Sequence, residues 1–353
     1  MGQICAKRFV VLLAVVAACA MSLSEFDLIR EFFSTSGQVA RADVLRGIGD
    51  DGAVLQVPVD QELVLSLDTL VAGVHFPADT PPGDVGYKAL AVGLSDLAAM
   101  GAEPAWATLA LTLPDIDRQW LKEFSQALLQ LAGTYQMQLV GGDTTRGPLT
   151  ISLQVHGFVP RGAACYRSGA QSGDLVCVTG TLGDAGLALH ARKHAQCQDT
   201  VYYPQLLHRL QRPLPRVSAA LAIRHLVHAM IDISDGLLAD LGHILSLSDV
   251  GACLYVDRVP LSESFVRMRD CLGELHWLDI ALSAGDDYEL CFTVPRDQLP
   301  AVQQQLSAAG CACSCIGEIV NGSGLQCRHD DGREYQPAGT GYDHFSTVRG
   351  ADS

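Results

Sequence analysis

Met230-Ile231-Asp232-Ile233-Ser234-Asp235-Gly236-Leu237-Leu238 is the stretch whose reading decides the fold. The apolar residues up to Ile233 read as a buried strand, Gly236 as a turn, and the segment beyond it as the start of an amphipathic helix. Two acids flanking a serine therefore stand where strand gives way to helix, a place from which carboxylates point into a cleft.

The same arrangement recurs in Gly49-Asp50-Asp51-Gly52, Ser66-Leu67-Asp68-Thr69, Ser95-Asp96, Gly141-Gly142-Asp143-Thr144-Thr145 and Gly285-Asp286-Asp287-Tyr288-Glu289. Each acidic group adjoins an apolar segment, whereas ordinary surface acids would lie on polar helix faces. That ordinary reading accounts for one or two of these groups, not for six. Acids that converge repel unless cations sit among them. Carboxylate and hydroxyl oxygens without histidine or thiolate favour a hard ion, Mg2+ before zinc, and so point to phosphate chemistry.

The chain of 353 residues has room for two ordinary domains, and its 48% hydrophobic content supports a sizeable core in each. Abundant glycine and few aromatics suit an α/β fold with many tight turns. A formal charge of -15 and the lack of any basic run disfavour a general nucleic-acid binder. The 12 cysteines are irregularly spaced and several, such as Cys177, Cys253 and Cys291, lie in apolar runs, as reduced core thiols of a cytoplasmic protein do. Cys311-Ala312-Cys313-Ser314-Cys315 puts three thiols on one strand face, but no fourth zinc ligand is evident beside them.

Residues 1–20 pull the other way. Lys7-Arg8, the apolar run Phe9 to Ala18 and the small residues Ala18-Cys19-Ala20 have the form of a secretory signal. Met21, however, offers a second start, followed by the amphipathic stretch Glu25 to Phe33, and nothing downstream looks secreted. The first 20 residues are therefore read as an over-extended start, too short for a membrane span.

Along the chain, residues 84–101 predict a helix, 106–113 a strand, 118–135 an amphipathic helix and 151–159 a strand, giving a first domain over 21–160. Asp96 interrupts a small, apolar helix surface, and a buried acid needs a partner, which a metal would supply. His75 follows Asp68 closely enough to be a contact for an anionic substrate. The linker 160–173 carries Arg161 and Arg167, whose forks suit phosphate oxygens. A second domain, 161–353, opens with a strand ending at Val178 and a glycine turn, and alternates helices and strands to about residue 320, as an α/β domain does. No GxxxxGK[ST] loop, dinucleotide fingerprint or protein-kinase signature occurs.

Taken together, Gly-Ile-Gly-Asp-Asp at 47–51, Ser-Asp-Leu-Ala-Ala-Met-Gly-Ala at 95–102, Gly-Gly-Asp-Thr-Thr at 141–145, Arg-Ser-Gly-Ala at 167–170, Ile-Asp-Ile-Ser-Asp-Gly-Leu at 231–237, Asp-Tyr-Glu-Leu at 287–290 and Gly-Tyr-Asp-His-Phe at 341–345 resemble the thiamine-monophosphate kinase family, in the family's order from about residue 22 to 346. The resemblance implies ATP-dependent phosphorylation of thiamine monophosphate to thiamine diphosphate. It implies the mixed two-domain α/β fold of aminoimidazole ribonucleotide synthetase, with N-terminal domains paired in a homodimer through a barrel-like interface. It further implies several Mg2+ ions held by Asp50, Asp51, Ser66, Leu67, Asp68, Asp96, Asp143, Asp232 and Asp235. ATP would lie against Gly142, Asp143, Arg167 and Ser234, and thiamine monophosphate against His75, Asp286 and Tyr342. No side chain is assigned as nucleophile or general base, because the acceptor is a phosphate oxygen already ionised.

The chain departs from the family pattern at two places. Leu67 stands where threonine is common and offers only its backbone carbonyl to a metal, and Tyr342 replaces a tryptophan with a smaller stacking face. Two other readings compete: a sister ATP-using enzyme of the same superfamily, and a non-catalytic divalent-metal or nucleotide-binding protein. Selenophosphate synthetase would want a reactive cysteine or selenocysteine near a lysine between Met21 and Ala53, and neither is present.

Overall fold

The computed structural model describes residues 24–34, 39–272 and 276–342. The signal-like residues 1–20 and the end of the tail motif, Asp343 to Phe345, lie outside them.

The N-terminal part begins with a short helical segment, Glu25–Leu28 continuing as a wider turn over Ile29–Phe33, whose Ser24 cap bonds Asp27 reciprocally. A two-stranded ribbon follows, β1 (Val44–Arg46) against β2 (Val54–Leu55). The main sheet comprises β3 (Gln61–Val71), β4 (Glu103–Leu113), β5 (Gln138–Arg146) and β6 (Thr150–Pro160), in the order β3-β6-β4-β5. Only β4 and β5 run parallel in this sheet. Strand alternation sorts β3 into two faces. Ser66, Asp68 and Leu70 turn toward the helices, while Leu63, Leu65 and Leu67 are exposed on the outside.

Helix α1 (Pro82–Ala99) is buried on nearly every side, which its run of small and aliphatic residues permits. It lies between the sheet, helix α2 (Arg118–Thr134) and the C-terminal part. Gly86 is what lets α2 approach, since a Cβ there would sit 2.1 Å from the Phe124 carbonyl oxygen. Helix α2 is capped by Asp117 and buries Leu121, Phe124, Leu128 and Leu131 along one stripe.

The C-terminal part is built on a seven-stranded sheet, β7 (Leu175–Thr179), β8 (Ala229–Asp232), β9 (Gly251–Tyr255), β10 (Leu290–Val294), β11 (Cys313–Val320), β12 (Gly324–Arg328) and β13 (Glu334–Tyr335), in the order β13-β12-β9-β11-β7-β10-β8. Helices α3 (Asp184–Ala191), α4 (Tyr203–Gln211), α5 (Val217–Ile223), α6 (Leu237–Ser248), α7 (Trp277–Ser283) and α8 (Leu299–Ala308) flank it. Helices and strands do alternate along the sequence, but the pairing differs from that of a parallel α/β domain. Every neighbouring pair except β9–β12 is antiparallel. Strands β7, β8 and β9, which follow one another in sequence through helical connections, run in the same direction, and β10 and β11 insert between them in the opposite one. One face of this sheet shares a continuous apolar core with α1, so that Leu90 and Leu94 of the N-terminal part belong to the same core as Met230, Tyr288 and Phe292. That shared core fixes the two parts against each other where the acids gather.

Candidate active site

Three elements bring acids to one place. Helix α1 carries Lys88, Ser95 and Asp96 at i, i+7 and i+8, a spacing that keeps them on one side of the helix. Strand β3 contributes Ser66 and Asp68, two residues apart and hence on the same face. Strand β8 ends in Asp232, which is only 2% exposed. Ser66 Oγ donates to Asp96 Oδ2 at 2.5 Å and Ser95 Oγ to Asp232 Oδ2 at 2.7 Å. Asp68 lies within hydrogen-bonding reach of Asp96, a pair of carboxylates that can bond only by sharing a proton, and its buried Oδ2 takes no hydrogen bond from any other group.

Crowding carboxylates in a dry setting disfavours their charge. Burial, reinforced by the charge of Asp96, pushes Asp68 up to about 7. Burial likewise raises Asp96, although Ser66, Asp68 and the positive charge of Arg167 oppose it. Asp232 is raised well above the carboxylate range by its burial and then by Asp96. Arg167, from the linker, is thus close enough to Asp96 to act on it electrostatically.

Two loops close over this cluster and are laced together by backbone hydrogen bonds. Ile233 N–H donates to the Glu289 carbonyl at 2.8 Å, and the Asp286 and Tyr288 N–H groups donate to the carbonyls of Ser234 and Ile233, also at 2.8 Å. Asp286 and Tyr288 adopt φ of 64° and 50°, a left-handed conformation that non-glycine residues hold only when their surroundings impose it. The anchors lie directly behind them. Asp287, buried, accepts the Gly183 N–H at 2.8 Å. Glu289 is fully buried and bonded by Arg216, by Arg209 at 2.7 Å and by Thr179 at 2.7 Å. Lys88 Nζ reaches Asp286 Oδ2 at 2.8 Å and lies 6.0 Å from the centroid of the Tyr288 ring.

The other sequence-predicted residues fall into two places. Ser234 and Asp235 sit in the first loop, where their N–H groups and that of Gly236 donate to Asp240 Oδ2 at 3.0–3.1 Å. Tyr342 joins the same loop, its N–H donating to the Asp235 carbonyl at 2.9 Å, with its side chain exposed. His75 stands at the end of β3, where its Nδ1 accepts the Val71 N–H at 3.0 Å, which leaves the ring proton on Nε2. Asp50, Asp51, Gly142 and Asp143 instead line a separate cleft of ≈ 780 Å³ together with Phe26, Arg30 and Phe33. Strand register puts Asp143 on the face of Ala110, Ser152 and Thr69, opposite to the face of Asp68. Leu67 points to that outer face as well. Gly142 at φ 156° passes so close to β4 that a Cβ would meet the Leu109 carbonyl oxygen at 1.9 Å.

Among the described residues, no three carboxylate, imidazole or thiolate groups already surround one point as a metal's ligands would. Asp68, Asp96 and Asp232 are hard oxygen donors that repel one another, and the unpartnered Asp68 Oδ2 is the atom a cation would satisfy. That donor set fits Mg2+. Sequence reasoning did not find Lys88 or Asp240. Lys88 reads as the polar side of an amphipathic helix, and only its burial, at 3% exposure, betrays a specific partner. Asp240 was legible only as an acid in an otherwise apolar helical turn.

The family described as AIR synthase related protein, N-terminal domain, matches residues 49–159, and its C-terminal domain counterpart matches residues 171–330. The thiamine-monophosphate kinase of Escherichia coli K12 is 49% identical over 329 residues, covering 93% of this chain and 100% of the relative. That of Haemophilus influenzae is 42% identical, covering 85% and 90%. Among solved structures, thiamine-monophosphate kinase from Stenotrophomonas maltophilia superposes with a TM-score of 0.77 at 46% identity, covering 84% of this chain and 93% of that one. AaThiL complexed with AMPPCP and TMP superposes with a TM-score of 0.71 at 29% identity, covering 90% and 96%.

Proposed function

The chain belongs to the thiamine-monophosphate kinase family of AIR synthase related proteins, and we propose that it passes the terminal phosphoryl group of ATP directly to the phosphate of thiamine monophosphate in an Mg2+-dependent site centred on Asp68, Asp96 and Asp232. ATP-dependent phosphorylation of thiamine monophosphate is the activity of this chain. The observation that carries the reading of the site is the approach of Asp68, Asp96 and Asp232 from two domains, with Asp68 Oδ2 buried and without a donor, and with Lys88 and Arg167 as the nearby cations.

Donor and acceptor are both polyanions, so the work of the protein is to bring them together and to stabilise charge on the group in flight. Bound Mg2+ would supply charge neutralisation and a template for the phosphates. Ser66, the Leu67 carbonyl, Asp68, Asp96, Asp232 and Asp235 are the donors proposed for it there, and Asp50, Asp51 and Asp143 are proposed to hold further ions from the separate cleft. Gly142, Asp143, Arg167 and Ser234 are proposed to contact ATP. His75, Asp286 and Tyr342 are proposed to contact thiamine monophosphate, with Lys88 fixing Asp286 from the opposite domain. The acceptor oxygen is ionised at neutral pH, so no side chain is needed as general base and transfer leaves no phosphoenzyme.

A homodimer is part of the proposal. β3 is an edge strand whose outer face exposes Leu63, Leu65 and Leu67, and such an edge is normally covered. Domains spanning 21–160 and 161–353 are proposed on the same footing, with the division just after β6. A cytoplasmic setting is supported by the described cysteines being free thiols. Among the described residues, no helix is long and apolar enough to cross a membrane.

The test is a turnover assay with purified protein, ATP, Mg2+ and thiamine monophosphate. Equal amounts of ADP and thiamine diphosphate, both lost in Asp232→Asn, are expected. ADP release without thiamine diphosphate would overturn the assignment of the acceptor.

A further inference from the structure

Outside the acidic site, the C-terminal sheet holds a cluster of thiols that the phosphoryl transfer does not use. Strands β7 and β11 pair antiparallel with Cys177 directly opposite Cys315 and with Thr179 opposite Cys313. Residues two apart on a strand share a face, so Cys313 and Cys315 both look onto Cys177. The Cys177 thiol makes hydrogen-bonding contact with each of them. Directly opposite residues of an antiparallel pair have Cα atoms about 4.5–5.5 Å apart, inside the range a disulfide spans. The three thiols differ in access. Cys177 is fully buried, whereas Cys313 and Cys315 are partly exposed. A surface hollow of ≈ 410 Å³, lined by Gln303, Ser307, Cys311 and Cys313 among others, opens beside the cluster. Two guanidinium groups, Arg258 and Arg296, act on Cys315.

We propose that Cys315 and Cys177 form a site of reversible thiol oxidation, with Cys315 as the peroxide-reactive thiol and Cys177 as the thiol that resolves it. In the first step the Cys315 thiolate attacks one oxygen of hydrogen peroxide, the O–O bond breaks, and hydroxide leaves with the electron pair, giving a sulfenic acid. In the second, the Cys177 sulfur attacks the Cys315 sulfur, the S–O bond breaks, and the departing hydroxide takes the Cys177 proton as water. Two thiols and one peroxide become one disulfide and two waters, the two sulfurs supplying both electrons. The roles follow from the surroundings. Hydrogen bonding from Cys177 first, with the two arginines helping, lowers Cys315 to about 6, so it is largely thiolate at neutral pH. The same contacts keep Cys177 protonated as the donor. Cys165 and Cys327 are controls, since burial pushes each up to about 11.

The experiment uses the whole protein. Peptide mapping after treatment with a small excess of hydrogen peroxide, with free thiols blocked by iodoacetamide, is expected to recover a Cys177–Cys315 linked peptide that dithiothreitol abolishes. In the reduced protein, Cys315 is expected to alkylate at least about tenfold faster than Cys165 or Cys327 at pH 7, with a half-maximal rate near pH 6. Cys177→Ala is expected to give no disulfide-linked Cys315 peptide and, because the main hydrogen-bond donor to Cys315 is gone, to slow alkylation of Cys315 at pH 7. Recovery of both cysteines unlinked from the wild-type protein, or linkage of Cys177 to Cys313 in place of Cys315, would overturn the assignment. The wild-type mapping decides the matter even if the variant fails to fold.

Discussion

Lys88 Nζ of helix α1 lies 2.8 Å from Asp286 Oδ2, an ion pair that joins the N-terminal part to the strained loop of the C-terminal part. The lysine is buried and cannot find water if its partner moves, and Asp286 is held in a left-handed conformation by the bonds around it. One contact thus sets both the position of a substrate-binding candidate and the relation between the two parts. Replacing Lys88 with Met keeps the length of the side chain and removes the charge. A charge-assisted bond of this kind contributes about 1.5–3 kcal/mol, so kcat/KM for thiamine monophosphate is expected to fall roughly 10- to 100-fold, mostly through KM. An unchanged KM in steady-state assays would show that Lys88 does not position Asp286.

Asp68 gives a prediction in the opposite direction for stability. Its folded pKa is raised to about 7 by burial and by Asp96, against an ordinary carboxylate near 3.8 in the unfolded chain. A raised pKa means that the native state binds the proton more tightly. The stability this confers is complete below about pH 4 and is lost as pH rises through 7. The metal-free protein is therefore expected to lose stability between pH 5 and pH 8, and Asp68→Asn to lose less over the same interval. Added Mg2+ is expected to raise the melting temperature of the wild type at pH 8 and to do little for Asp68→Asn. Thermal unfolding in EDTA and in Mg2+ measures all four arms. Equal Mg2+ stabilisation of both proteins would remove Asp68 from the proposed metal site.

Much of this was legible beforehand, and what was hidden has a physical cause. Asp68, Asp96 and Asp232 stood out because each interrupts an apolar run, and burying an acid there demands a partner. Register was not legible. Whether Asp143 shares a face with Asp68 depends on the pairing of β5, β4, β6 and β3, and a shift of one residue would exchange the faces. Nor does hydrophobic alternation distinguish the antiparallel C-terminal sheet from a parallel one, since both bury β7 and β10 on two sides. Lys88 and Asp240 were missed for a related reason. Their partners, Asp286 and the backbone of residues 234–236, are supplied by tertiary or turn geometry rather than by sequence spacing.

Asp240 closes the loop that carries Asp235 and Ser234. One carboxylate oxygen takes three successive N–H groups, and the residue itself is buried. Asp240→Ala leaves those donors to compete for whatever water enters. Each unsatisfied donor costs about 1–3 kcal/mol, and some of the three will find water, so a net loss of roughly 2–4 kcal/mol in urea unfolding is expected. Because the Tyr342 N–H docks on the Asp235 carbonyl, the KM for thiamine monophosphate is expected to rise as well. A variant as stable as the wild type would mean that the loop is held by the Asp286–Glu289 lacing alone.

The outer face of β3 makes the last prediction. Leu63, Leu65 and Leu67 are 41%, 55% and 62% exposed, and they alternate with the inward Ser66 and Asp68 of the site. Covering them with a second copy would bury the apolar stripe and hold the strand that supplies Asp68. Leu65→Lys puts a charge at the middle of that stripe without touching the inner face. It is expected to turn the proposed dimer into a monomer by light scattering at micromolar concentration. Activity should then recover as the concentration is raised, if the second copy acts by holding β3 in place. A variant that remains dimeric would move the interface to another surface. One that becomes monomeric with undiminished turnover would show that β3 keeps Asp68 in position by its pairing with β6 alone.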